Sequence, residues 1–202
     1  PCMKTRAQIK LEAKSAFQAQ YGMSIVIGLL LMAITLALVW VPFAPIVLIP
    51  VLSVGALTAY LAINRRQTAS VGQLFTPFNQ FGRNLGGYWW MFLWQWLWSL
   101  LIIPGIIKTY AYSMTLYILA DCPSCGARKA LRLSIALTEG HKWEIFVFQL
   151  SFLGWFLLGS LTFGILDILY VLPYYETAMA NLFQELKADA LRREVVAVED
   201  FQ

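Results

Sequence analysis

The chain has 202 residues, of which 59% are hydrophobic and only 13% charged, with a mean hydropathy of +0.65. A soluble domain carries about 25% charged residues, so this composition argues against a globule surrounded by water. The formal net charge of +4 sits in short basic clusters beside apolar runs, where anionic headgroups explain it better than nucleic acid does.

Residues 22–63 carry no ionisable side chain except tyrosine, and neither do residues 84–107. Each run exceeds the about 20 residues that cross a ~30 Å hydrocarbon layer. The expected fold is therefore all-α: a polytopic transmembrane bundle of six spans in three hairpins, with interfacial amphipathic helices, forming a single membrane domain. Pro1 and Cys2 stand before Met3 and are set aside as an appendage. No cleavable signal peptide is expected, because the first apolar run is long and lacks a small-residue cleavage site.

Residues 3–21 predict an amphipathic helix with Ile9, Ala13, Ala16 and Phe17 on one face and the lysines largely off it. Such a basic helix beside a span is expected to lie on the inner membrane surface. The first hairpin, 22–63, has spans at 23–41 and 46–63, joined by "VPFAP", where Pro42 and Pro45 make the turn. Residues 64–87 form a cytoplasmic aromatic segment broken by Pro77. The second hairpin, 88–120, has spans at 88–103 and 106–120, separated by a helix break at Pro104 and Gly105. Residues 121–142 repeat the amphipathic pattern, with Ala127, Ala130, Leu131, Ser134, Ile135 and Thr138 on one face. The third hairpin, 143–183, has spans at 143–160 and 163–183 with a softer corner at Thr162 and Gly164. A cytoplasmic tail, 184–202, follows.

Fourteen of the 15 basic residues fall before span one, between the hairpins, or after span six. By the excess of cations on cytoplasmic loops, both termini are expected inside the cell and all three corners outside. Lys108 is the exception. It follows the Pro104–Gly105 break, whose freed carbonyls need partners in hydrocarbon, and its ammonium is placed to serve them or to snorkel outward. Asp167 in span six is expected at a similar depth, so the two are expected to approach each other, since a charge inside the bilayer costs several kcal/mol unless paired. Glu176, in "VLPYYETAMANLF", is the third buried candidate, with Lys142 or Arg65 as partners in reach.

Span three carries "YWWMFLWQWLWSL", in which Trp90, Trp94 and Trp98 share one face with Gln95 nearby. This stripe reads as packing and lipid contact before it reads as a ligand cavity. Ser151, Gly154 and Gly159 in span five are small residues that permit close helix approach, or a dimer. Cys122 and Cys125 in "DCPSCGARKA" have redox spacing, but Pro123 and Ser124 also suit a helix start, which is the simpler reading. His141, Lys142 and Trp143 form an interfacial motif. The only histidine, His141, has Glu144 and Glu139 as its near acids, and HExxH, GxSxG and a phosphate-binding glycine loop are all lacking. No catalytic residue, cofactor or metal is expected.

The stretches "IIPGIIKTYAYSMTLYILADCP", "GHKWEIFVFQLSFLGWFLLGSLTFGI" and "LPYYETAMANLFQEL", with the opening "MKTRAQIKLEAKSAF", resemble a family of bacterial integral membrane proteins known as domain of unknown function nine-seven-five. On those positions the motif residues are Pro104, Gly105, Lys108, Gly140, His141, Lys142, Trp143, Trp155 and Tyr174. Asp167 departs from the family's usual apolar or glycine residue. The resemblance implies a multi-pass protein of the bacterial inner membrane with no assigned activity. Membrane lipids are the expected partners, with a second copy or another membrane protein as further candidates. The expected function is binding or moving a lipid or small solute through a cavity near the buried charges. A non-transporting membrane scaffold, immunity or stress-protection protein is the alternative.

Overall fold

A computed structural model describes residues 4–41, 43–100, 102–161 and 164–201. Pro42, Thr162 and Phe163, which the sequence places at or beside hairpin corners, lie outside the described residues. Among those described there is no strand, so the all-α expectation holds.

Thr5 caps α1 (Arg6–Ala19) in a reciprocal box with Gln8. Helix α1 buries the predicted face, Ile9, Ala13, Ala16 and Phe17. That face does not rest on lipid. It packs on α10 (Leu172–Arg192), where Asn181 Nδ2 donates to Ile9 O at 2.8 Å and Lys4 pairs with Glu185 at 2.8 Å. The same correction applies to α7 (Ala127–Thr138), whose face of Ala130, Leu131, Leu133, Ser134, Leu137 and Thr138 is buried inside the protein. An apolar stripe specifies that something covers it, and here other helices do so more completely than a headgroup layer could.

Three helical stretches among the described residues are long and apolar enough to cross a bilayer, not six. They are α2 (Tyr21–Leu38), α3 (Ala44–Asn64) and Lys142–Ser160, the last bent at Ser151–Phe152 into α8 (Lys142–Leu150) and α9 (Leu153–Leu161). The other expected spans fail for separate reasons. Helix α4 (Phe81–Ser99) is long, but Arg83, Asn84 and Gln95 dilute it. Span four is divided at Ser113–Met114 into α5 (Ile102–Tyr112) and α6 (Thr115–Asp121), about 16 and 10 Å long at 1.5 Å per residue. Span six opens with a π-helical turn, Asp167–Val171, before α10. Pro173 explains that turn: its ring displaces the carbonyl four residues back, and the ladder shifts so that Leu172 N–H reaches Asp167 O.

The corner after α2 places Phe43 at φ 67° with Pro45 in the first turn of α3. The second corner also differs from expectation. Pro104 and Gly105 lie within α5, Pro104 as its third residue, where a missing N–H costs nothing, and the preceding helix α4 already ends at Ser99.

The inner half of α3 is the centre of the bundle. Val51, Leu52, Val54, Ala56, Leu57, Ala59, Tyr60, Leu61, Ala62 and Ile63 are all buried against α2, α6, α10 and a 3₁₀ turn, Val71–Leu74. Gly55 is required there, because a Cβ would collide with the Leu74 backbone. Outside this core, large apolar side chains are exposed: Val26, Met32 and Leu36 on α2, Phe92, Leu93, Trp96 and Leu97 on α4, and Leu153, Leu157 and Leu158 on α9. Gly55→Ala should destabilise the fold by about 1–3 kcal/mol through overpacking, read as a lower thermal midpoint of the detergent-solubilised protein, whereas Gly154→Ala, at a position open around its Cα, should leave the midpoint unchanged.

Candidate functional site

A cavity of about 540 Å³ lies between α2, α3, the π turn and α10. Its volume falls in the range of small-molecule sites. The walls are mostly apolar: Leu31, Met32 and Leu36 from α2, Ala56 and Leu57 from α3, and Ile168, Leu172 and Pro173 from the last helical run. Met32, Leu36 and Leu172 are exposed on the outer surface, so the mouth opens through the apolar belt. Gly28 leaves room for the Tyr60 hydroxyl, which would lie 3.6 Å from a Cβ there.

Glu176 is the one charged residue of this wall. Its Oε2 accepts a hydrogen bond from the Tyr117 hydroxyl at 3.0 Å, and no Lys or Arg pairs with it among the described residues. Arg65, expected within reach, pairs instead with Asp121, and Lys142 starts α8 beside Trp143. Thr35 and Ser53 also line the cavity; their hydroxyls donate to Leu31 O and Ile49 O of their own helices, both at 2.8 Å.

The Lys108–Asp167 pair does not form. Lys108 Nζ lies over the Trp98 ring at 5.1 Å and near the Tyr112 ring at 5.9 Å, a cation–π setting. Asp167 packs against Gly159, whose Cα has no space for a Cβ beside that carboxylate. Gln95 is the polar side chain that reaches this stretch: its Nε2 donates to Thr109 Oγ1 at 2.8 Å and reaches Gly105 O at 3.4 Å. The tryptophan stripe packs as the spacing indicates, with Trp90, Trp94 and Trp98 against Ala111, Tyr112 and Leu131.

The interfacial motif is organised by one acid that sequence proximity suggests, Glu144, and one that it does not, Asp189. Gly140, at φ +84°, ends α7 in the left-handed conformation that glycine adopts freely and delivers His141 to the start of α8. His141 lies between two carboxylates, 3.1 Å from Glu144 and 3.1 Å from Asp189 of α10. Burial works to raise the Asp189 carboxyl, but hydrogen bonding to His141 and the nearby Arg193 charge hold it below its ordinary value. Trp143 is exposed and borders a shallow crevice with Ile106, Ile107 and Tyr110.

A second knot joins three segments distant in sequence. Asp121, at the end of α6, accepts from Arg65 of α3 and from Lys187 of α10, the latter at 2.6 Å. Arg83 donates to the carbonyls of Leu119 and Cys122, closing the end of α6. Cys122 and Cys125 are both buried and joined as a disulfide. The helix start expected at Pro123–Ser124 falls later, with Gly126 as the residue before α7. Among the described residues no group of three or more His, Cys, Asp or Glu could hold a metal.

Burial tends to raise Asp121, and the hydrogen bonds and charges of Lys187 and Arg65 overcome it, so its carboxyl is held below the usual value. The folded state therefore binds fewer protons than the unfolded chain. The stability from this pair is complete above the ordinary aspartate value of about 3.9 and is lost as pH falls through the folded-state value. Asp121→Asn should lower stability at neutral pH by about 1–3 kcal/mol, less than a fully buried pair, because Arg65 and Lys187 keep partial solvent contact. Thermal midpoints across a pH series check this: the gap between wild type and variant should narrow only at the acid end.

No curated protein and no solved structure matches the chain. The model of one family, described as protein of unknown function (DUF975), matches residues 2–190. A match over nearly the whole length makes this chain a member of that family.

Proposed function

We propose that the chain is an integral membrane protein that binds, and so holds or moves, a lipid or small amphiphile in the cavity walled by α2, α3 and α10. One observation carries the reading: the mouth is rimmed by exposed leucine and methionine while a carboxylate sits in the wall behind it. A ligand dissolved in hydrocarbon meets an opening of its own polarity and then a single polar anchor, the usual design of a small-molecule site.

The membrane setting is part of the proposal. Helices α2, α3 and α8–α9 are the proposed crossings, and exposed apolar side chains of this number are stable in contact with acyl chains rather than water. The cation-rich segments engage one another directly, through Arg66 with Ser15, Lys4 with Glu185, and Arg65 with Asp121 beside Lys187. By the cation rule they belong on the cytoplasmic side of a bacterial inner membrane, with both termini. No catalysis is assigned to the cavity.

A second reading, a membrane scaffold or protection protein that docks a partner in the bilayer, is favoured by the outward row Trp89, Phe92, Leu93 and Trp96 on α4. The two readings part at the cavity. The neutral dye N-phenyl-1-naphthylamine should bind saturably to the purified protein, and Ser53→Phe, which fills the cavity, should weaken binding about tenfold or more. Equal dye binding by wild type and a folded Ser53→Phe would remove the ligand reading and leave the scaffold.

Topology is tested separately. Cysteines introduced at Phe43 and Gln67 should react with an impermeant thiol reagent from opposite sides of the membrane. Labelling of both from one side would refute the proposed hairpin of α2 and α3.

A further inference from the structure

We infer that the cavity is selective for a lipophilic organic cation; this rests on the proposed ligand-binding role and names its substrate class. The one charge facing the cavity is negative, and three of its polar side chains, Glu176, Thr35 and Ser53, present acceptors. Glu176 brings a carboxylate that accepts from the neutral Tyr117 hydroxyl and, among the described residues, pairs with no cation. Thr35 and Ser53 direct their hydroxyl hydrogens to carbonyls of their own helices, which leaves oxygen lone pairs, not protons, for an occupant. Tyr60 and Tyr88 add aromatic surface to the same wall, of the kind that attracts cations.

An ionised carboxylate among apolar walls with one neutral donor is poorly compensated, and a cation placed beside it offsets the desolvation of both. Among the described residues no Lys or Arg forms an ion pair with this carboxylate. Arg65 and Lys187 are committed to Asp121, and Lys108 is held over Trp98.

The class of cation follows from the remaining surface. A hard metal ion requires about six oxygen ligands, mostly carboxylates, carbonyls and waters, and this wall offers one carboxylate and the hydroxyls of Thr35, Ser53, Tyr60 and Tyr88. A bulky cation with delocalised or shielded charge needs few hydrogen-bond acceptors and fills the apolar volume. It also partitions into the bilayer, onto which the mouth opens. An anionic or zwitterionic lipid would set its phosphate against the Glu176 carboxylate with no cationic side chain in the wall to receive it, so charge disfavours such headgroups there.

The experiment compares tetraphenylphosphonium with tetraphenylborate, ions of near-equal size and opposite charge, by equilibrium dialysis against the detergent-solubilised full chain. N-phenyl-1-naphthylamine is the neutral reporter of the cavity. Wild type should bind the phosphonium about tenfold or more tightly than the borate. Glu176→Gln, which keeps the side-chain shape and its contact with Tyr117, should abolish that preference. A thermal midpoint equal to that of wild type shows that the variant is folded. If the dye binds and Ser53→Phe blocks it, but the phosphonium has no advantage or keeps it in Glu176→Gln, the cation inference fails and the ligand cavity stands. If the cavity takes up neither dye nor ion, both readings fall together.

Discussion

The inner half of α3 has almost no free surface, and the rest of the structure is arranged around that constraint. A helix apolar on every side must be covered on every side, so α2, α6, α10 and the 3₁₀ turn after it all close on it. Gly55 allows the closest of these approaches, to the backbone at Leu74. The covering is incomplete at two places, and each is marked by a small polar residue of α3. Ser53 lines the large cavity and Thr58 a smaller one beside Arg83 and Asn84. The candidate site is thus a gap in the packing of the central helix, held open by residues too short to fill it.

The polar parts are built on a different rule. Arg65, Asp121 and Lys187 come from three helices that run away from one another in sequence, and Arg83 holds the carbonyls at the end of α6. Lys10 does similar work at the bend between α8 and α9, where its ammonium bonds Ser151 and lies 4.2 Å from the Phe152 ring centroid. Breaks in helices leave backbone groups and kinks that need filling. The chain fills them with long cationic side chains brought from elsewhere. These contacts fix the ends of the helices, so the width of the central gap does not depend on loops alone.

Local periodicity was legible in the sequence, and long-range pairing was not. The buried face of α1, the packing of Trp90, Trp94 and Trp98, and the turn around Pro45 all follow from spacing of side chains along one helix. The break near Pro104 was misplaced because proline interrupts a helix in its interior but is tolerated in the first turn, and composition alone does not reveal which turn it occupies. Six spans were expected because hydropathy is read along the chain. Ser113–Met114 and Ser151–Phe152 interrupt the runs without proline or charge to announce it. Glu176 was singled out, yet its partner Tyr117 lies on α6, while Asp189 reaches His141 from α10. No spacing rule connects such positions; only the fold does.

Lys108 and Glu176 began as equivalent candidates, ionisable groups in apolar surroundings, and their different environments follow from the length of their side chains. Four methylenes let a lysine ammonium travel about a helical turn and find ring faces or an interface, which is where Lys108 ends, over Trp98 and Tyr112. A glutamate has two methylenes and cannot leave its depth. Its charge must be met where the backbone puts it, and α6 offers only the Tyr117 hydroxyl. A lysine that has already found its partners makes a poor ligand site, because nothing is gained when a ligand replaces them. A carboxylate with one neutral donor and an open apolar cavity in front of it gains most from an occupant of opposite charge. In the proposed cation site, the short side chain is what would turn a tolerated burial into a recognition element.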